Sequence, residues 1–167
     1  MLSIRKATAA DAATIHRFIV ELAVYEKEPD AVEVDTPTLA AQLSEPNPPF
    51  ECLLAEEDGL ALGFALFFHT YSTWRGKRGI WLEDLFVTEH HRGRGVGKAL
   101  LAKVAAIAVE RDCARLDWSV LTWNTPAITF YHELGARMME DWRQCRLSRA
   151  PLQILAKDGA SGLARKS

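Results

Sequence analysis

The stretch from Gly79 to Ala108 constrains the fold of this chain more than any other. Residues Gly79 to Val87 are mostly aromatic, aliphatic and β-branched, the make-up of a buried strand. Arg92-Gly93-Arg94-Gly95-Val96-Gly97 then crowds glycines ahead of a run in which Leu100, Leu101, Val104, Ile107 and Ala108 share one helical face. Strand, glycine-rich turn and helix in this order let backbone N–H groups converge on a phosphate at the positive end of the helix. Leu116 to Leu121 reads as the following strand. The unit is therefore strand–helix–strand, with a right-handed crossover and parallel outer strands.

Two familiar phosphate loops are excluded, one by two positions and the other by one. A Walker A loop ending on Gly97-Lys98 needs glycine at 92 and Ser or Thr at 99, where Arg92 and Ala99 stand. A dinucleotide fingerprint needs glycine at Lys98 or at Leu100, depending on where it starts. What remains is an Arg-x-x-Gly-x-Gly pattern that opens a helix.

Around this unit the chain reads as one domain over 1–157, with 158–167 small and polar enough to fray. Leu2 to Arg5 alternates like a short strand, and Thr8-Ala9-Ala10-Asp11 has the spacing of a capping box. Ile15, Phe18, Ile19 and Leu22 follow on one helical face that ends near Tyr25 to Pro29. A second short helix is predicted with Thr36 as N-cap and Pro37 at its first position. Cys52 to Ala55 and Leu60 to Phe68 read as a hairpin, and a basic, aromatic loop from Tyr71 to Arg78 leads into the Gly79 strand. Pro126 to Leu134 suits a short helix closed by Gly135. A last pair of strands is predicted at Arg143 to Leu147 and Gln153 to Ala156.

Twenty Lys and Arg against 22 Asp and Glu leave a net charge of −2, so no global positive field favours nucleic acid. No run approaches the roughly 20 apolar residues of a membrane span, and no leader-like segment opens the sequence, which points to a cytoplasmic protein. Cys52, Cys113 and Cys145 are too few and too scattered for a disulfide framework or a cysteine zinc site. The five histidines form no H-E-x-x-H, so no metal is expected.

Several motifs in order carry a resemblance. Beside the Arg92 to Gly97 loop stand Leu22-Ala23-Val24-Tyr25-Glu26-Lys27, Tyr71-Ser72-Thr73-Trp74-Arg75-Gly76, Trp81-Leu82-Glu83-Asp84-Leu85-Phe86-Val87, Trp123-Asn124 and Ala127-Ile128-Thr129-Phe130-Tyr131 with Leu134-Gly135-Ala136. Together they resemble the GNAT acetyltransferases and, within them, the spermidine/spermine N-acetyltransferase branch. His90-His91 departs from the segment more usual before the loop. The resemblance implies an α/β fold with a mixed, mostly antiparallel sheet flanked by helices and splayed near Val87 to admit acetyl-CoA. It implies a homodimer and direct N-acetylation of a small primary amine, either a polyamine such as spermidine or spermine, or a thialysine-like amino acid. A catalytically silent acyl-CoA-binding module is the alternative that the loop alone supports.

The same resemblance distributes roles. Main-chain groups of Leu85, Phe86 and Val87 pair with the pantetheine arm, Arg92, Gly93, Arg94, Gly95, Val96, Gly97 and Lys98 hold the pyrophosphate, and Asn124, Ala127 and Tyr131 complete the cofactor contacts. Tyr131 is the expected acid for the departing thiolate, since a phenol can stabilise a thiolate with a pKa of about 8.5. Tyr25 and Glu26 are expected to contact a cationic amine through cation–π attraction and ion pairing. Glu83 and Asp84 are costly in an apolar strand unless one meets a polar cavity. Alternation sends them to opposite faces, and the resemblance selects Glu83, as a base through ordered water or as a holder of the ammonium.

Overall fold

The first helix starts where the capping-box spacing places it. Asp11 Oδ2 accepts from the Thr8 amide at 2.8 Å and from Thr8 Oγ1 at 3.1 Å. A single 3₁₀ turn over Ala9–Asp11 feeds α1, Ala12–Tyr25. The computed structural model describes residues 1–164, in two units, Met1–Trp123 and the chain from Asn124 onward.

In the first unit β1 (Ser3–Lys6), β2 (Glu51–Glu57), β3 (Leu60–Ser72), β4 (Lys77–Val87) and β5 (Leu116–Trp118) form one sheet in that order. All neighbours are antiparallel except β4 and β5, which are parallel and joined through α3, Val96–Glu110, as the strand–helix–strand pattern requires. The sheet is thus mixed and mostly antiparallel, with helices against it. On one face Ile15 and Phe18 of α1 and Leu39 of α2 (Thr36–Leu43) pack with Leu54, Phe64, Leu66 and Phe86. Phe18 lies 5.6 Å from Phe64 and 6.0 Å from Phe86, ring centroid to centroid. Burying side chains of this size stabilises the fold by roughly 1.5–3 kcal/mol each. On α3 the predicted apolar face holds, with Leu100, Leu101, Val104 and Ala108 buried.

β3 and β4 are longer than the sequence pattern suggested, because Tyr71 and Ser72 pair with Arg78 and Lys77 and leave only residues 73–76 as the hairpin tip. β5 is shorter. It ends at Trp118 after pairing Leu116, Asp117 and Trp118 with Ile80, Trp81 and Leu82. Beyond Leu82, β4 runs on without a β5 partner, and this is the splay expected near Val87.

Two helix ends differ in their chemistry from the prediction. The N-cap of α2 is Asp35, one residue earlier than Thr36, and its Oδ1 accepts from the Thr38 amide at 2.9 Å. Asp is as strong a cap as any residue, which moves Thr36 to the first helical position and Pro37 to the second. α1 stops before Pro29 through a Schellman closure in which Lys27 takes the left-handed position (φ 66) and the Glu28 amide donates to the Ala23 carbonyl.

The second unit holds α4, Thr125–Glu133, and α5, Arg149–Ala164. Gly135 (φ 85) closes α4 as predicted, its amide donating to the His132 carbonyl and that of Ala136 to the Tyr131 carbonyl. The strands predicted at Arg143 to Leu147 and Gln153 to Ala156 are not formed: among the described residues no strand follows β5. Residues 153–156 lie instead in α5, where Pro151 suits the first turn and Leu, Gln and Ala are good helix formers. A four-residue segment with three apolar residues, Ile154, Leu155 and Ala156, does not separate strand from helix by its period. Of the tail expected to fray, 158–164 continue α5, and 165–167 lie outside the described residues.

Candidate active site

A β-bulge in β4 decides which carboxylate faces α1. Leu66 pairs with Asp84 and Phe67 with Leu82, so Glu83 has no partner residue on β3. Residues directly opposite each other on paired strands share a face. Phe67 and Leu66 point to opposite faces, so Leu82 and Asp84 do as well, although two residues apart in an unbroken strand would match. Asp84 accordingly shares the face of Leu66, which packs with α1. Glu83 is left exposed, and its Oε2 accepts from Trp81 Nε1 at 2.7 Å.

Asp84 lines a cavity of about 350 Å³. Its walls are Ile19, Leu22 and Ala23 of α1 and Ala31, Val32 and Val34 of the segment that follows, with Glu26 and Glu33 as the other acidic members. Burial, and then the charges of Glu83 and Glu26, push the Asp84 carboxyl up to about 7. Burial also raises Glu26 above the usual carboxylate range. Of these acidic residues the sequence reading named Glu26 and Glu83 as substrate contacts. Asp84 and Glu33 were missed as lining residues, and the available signal for Asp84 was its place beside Glu83 in an otherwise apolar strand.

Tyr25 and Arg92 meet beside this cavity wall. The Arg92 guanidinium stacks 4.5 Å from the Tyr25 ring centroid and 5.5 Å from that of Phe86, while its Nε donates to the Val87 carbonyl at 2.9 Å. On its other side Tyr25 approaches the Trp123 ring at 6.1 Å, and Lys27 Nζ sits 4.2 Å above that ring. The side chain of Arg92 is therefore committed to strand and helix, and that of Arg94 to an ion pair with Glu57 at 2.7 Å. From these residues the loop presents mainly backbone.

That backbone is open. Gly93 and Gly95 have φ of 72 and 81, in the left-handed region that favours glycine, and a Cβ at either would meet nothing within 4 Å. Gly95 is the N-cap of α3 and brings no side-chain acceptor to the first helical amides. An anion fits there in both charge and space, and the cradle suits a phosphate-bearing group. Farther along β3, Gly63 is fixed by close approach, since a Cβ would lie 2.4 Å from the Phe86 carbonyl oxygen.

In the second unit Asn124 caps α4, its Oδ1 accepting from the Ala127 amide at 3.4 Å. Tyr131 is buried in α4, its ring 5.3 Å from that of Phe130. Asn124, Ala127 and Tyr131 thus share one short helix and its cap.

A sheet opened beside a glycine turn, with an anion cradle and an acidic cavity in the same unit, suits an enzyme that binds a phosphate-bearing group and a cation. The family comparison agrees, for the acetyltransferase (GNAT) family matches residues 14–136. The chain belongs to the GNAT acetyltransferase family, whose enzymes use acetyl-CoA, and it is an N-acetyltransferase acting on amines. It is 37% identical to the thialysine N-epsilon-acetyltransferase of Sus scrofa, across 92% of this chain and 96% of that protein. It is 35% identical to the human spermidine/spermine N(1)-acetyltransferase-like protein 1, across 92% of this chain but 23% of that longer protein. Among solved structures, an integron cassette protein from the mobile metagenome of V. cholerae superposes with a TM-score of 0.79 at 27% identity, over 93% of this chain and 98% of that one. No described helix is long and apolar enough to cross a membrane.

Proposed function

We propose that the protein acetylates the terminal primary amine of a small alkyl amine, a polyamine such as spermidine or spermine or a thialysine-like amino acid, by direct transfer from acetyl-CoA. The observation that carries this reading is the cavity beside β4. Its volume of about 350 Å³ suits a small molecule, its walls are alkyl, and its polar members are the carboxylates of Glu26, Glu33 and Asp84. An alkyl chain with a cationic end matches that lining: the methylenes lie on Leu22 and Val34, and the ammonium meets carboxylate. The name of the porcine relative, which acts on an ε-amine, supports the same choice.

In this reading the N–H groups from Gly93 to Lys98 hold the pyrophosphate, and the free edge of β4 at Leu85, Phe86 and Val87 pairs with the pantetheine arm as an added strand would. Acetyl-CoA supplies the activated acyl group. Asn124 and Ala127 complete its binding, and Tyr131 gives a proton to the departing thiolate. Glu83, exposed and oriented by Trp81 outside the cavity lining, meets the ammonium as it arrives, with Tyr25 and Glu26 as further contacts. The working form is a homodimer, a reading supported by the resemblance to the spermidine/spermine branch, and light scattering that gives the mass of one chain would refute it.

The test is thiol release from acetyl-CoA with spermidine, spermine, putrescine, lysine, thialysine and an amine-free blank. Turnover of at least one of these amines above the blank is expected. No turnover with acetyl-CoA binding intact would point to the silent acyl-CoA-binding module. Tyr131→Phe is expected to lower kcat by about 10²–10⁴ with acetyl-CoA affinity retained in calorimetry, the usual contribution of a positioned acid. An unchanged kcat would remove Tyr131 from its role.

A further inference from the structure

We propose that Asp84, turned toward α1 by the bulge at Glu83, is the proton acceptor for the amine, and that the cavity it lines is where the ammonium gives up its proton. The proposal rests on the amine-transferase reading above.

Geometry separates the two neighbouring carboxylates. Glu83 is solvent-exposed and already accepts from Trp81 Nε1. Asp84 lies half-buried on the α1 face, lining a cavity with apolar walls. The groups that face it are acidic: Glu26 from the end of α1, Glu33 from the segment after it, the Cys52 thiol from β2, and Glu83 on its own strand. Among the described residues no Lys, Arg or His forms an ion pair with it. A carboxylate in this setting binds a proton more tightly than one in water, because the alternative is an unpaired buried charge next to other acids. The raised proton affinity agrees with that placement. A base whose proton affinity lies near working pH is the most effective one for taking a proton in the rate-limiting step.

The bulge also places this group in register with the chemistry. Asp84 directly precedes Leu85 to Val87, the part of β4 that runs beyond its last β5 pair at Leu82. Had β4 continued without the extra residue, position 84 would lie on the Leu82 face, away from α1 and the cavity.

The step balances as follows. The substrate enters as an ammonium, and one N–H proton passes to the Asp84 carboxylate. The nitrogen lone pair then forms the C–N bond to the acetyl carbonyl carbon as the C–S bond breaks. Tyr131 protonates the departing thiolate and a second nitrogen proton restores its phenol, the third stays on the amide, and Asp84 returns its proton to solvent.

The experiment is the pH profile of kcat/KM for an amine that the wild-type protein acetylates, compared for Asp84→Asn, Asp84→Glu and Glu83→Gln. The wild type is expected to gain activity as pH rises through neutrality, as the free carboxylate forms. Asp84→Asn is expected to lose that limb and about 10²–10⁴ in kcat/KM, with acetyl-CoA binding by calorimetry and the cooperative melting transition retained. Asp84→Glu is expected to restore part of the rate with the limb displaced, and Glu83→Gln to keep the limb but move it toward lower pH, since one of the charges that raise Asp84 is gone. The proposal is overturned if Asp84→Asn keeps the wild-type rate or limb, or if the limb is lost in Glu83→Gln instead. Should Asp84→Asn fail to fold, an unmoved limb in Asp84→Glu overturns it equally. Wild-type protein that turns over none of the amines overturns the transferase reading and this proposal together.

Discussion

Glu51 and Asp84 are both carboxylates on the same sheet, yet their surroundings drive them in opposite directions. Glu51, at the start of β2, receives Arg111 Nη2 and Lys6 Nζ, each at 3.0 Å, and these partners hold it down at about 2. Asp84, on β4, has acids for neighbours and apolar walls, and it is pushed up to about 7. The first is a charge the fold has satisfied. The second is a charge the fold has left for something else to satisfy, and a cationic amine is the chemical species that would do so. Perturbed acids without a structural partner concentrate at functional sites, whereas acids inside ion-pair networks do not require that explanation.

The contrast is broken most severely by activity. Asp84→Asn is expected to cost about 10²–10⁴ in kcat/KM for the amine, while Glu51→Gln leaves turnover at the wild-type value at neutral pH. A comparable loss in both variants would mean that the two sites do not differ in kind.

Stability should move the other way. The Glu51 carboxyl is lower in the folded protein than its ordinary 4.5, so its contribution is present above that pH and disappears as pH falls through about 2. Glu51→Gln is therefore expected to destabilise the protein at neutral pH by about 1–2 kcal/mol, discounted for partial exposure. Urea unfolding at neutral and acid pH checks it: the gap between variant and wild type should close as pH falls toward 2, and a gap independent of pH would mean that the ion pair is not its source.

The smallest effect has the opposite sign. Asp84 is raised above its ordinary 3.8, so its contribution to stability is present below that pH and lost as pH rises through about 7. Asp84→Asn, which does not ionise, is expected to melt about 2–6 °C higher than wild type above neutral pH, with the gain vanishing in acid. Scanning calorimetry at the two pH values measures this, and a variant that melts lower throughout would mean that the carboxylate supports the fold.

This difference between the two acids was only half legible in the sequence. The strand, glycine turn and helix from Gly79 to Ala108 were readable because each is written in local chemistry: an apolar run, residues that tolerate positive φ, and an apolar face at helical spacing. The closure of α4 by Gly135 was readable for the same reason. Asp84 was not, because a bulge is a relation between two strands, and the missing β3 partner of Glu83 leaves no mark in β4 alone. With one residue of register the face of every later side chain changes. Lys27 closing α1 without a glycine, and Asp35 displacing Thr36 as a cap, were hidden because several residue types satisfy the same orphan backbone groups. The helix over Arg149–Ala164 was hidden because its short apolar run suits either period.

The most direct test of the account is the carboxyl titration of Asp84 and Glu51, followed side by side by carbon-detected NMR on the free protein and with a non-acetylatable tertiary amine analogue of the substrate. The account predicts that Glu51 stays ionised down to about 2, that Asp84 titrates near 7 when free, and that the bound cation moves Asp84 alone downward. An Asp84 carboxyl that titrates in the ordinary range near 4, and does not respond to the amine, would contradict it.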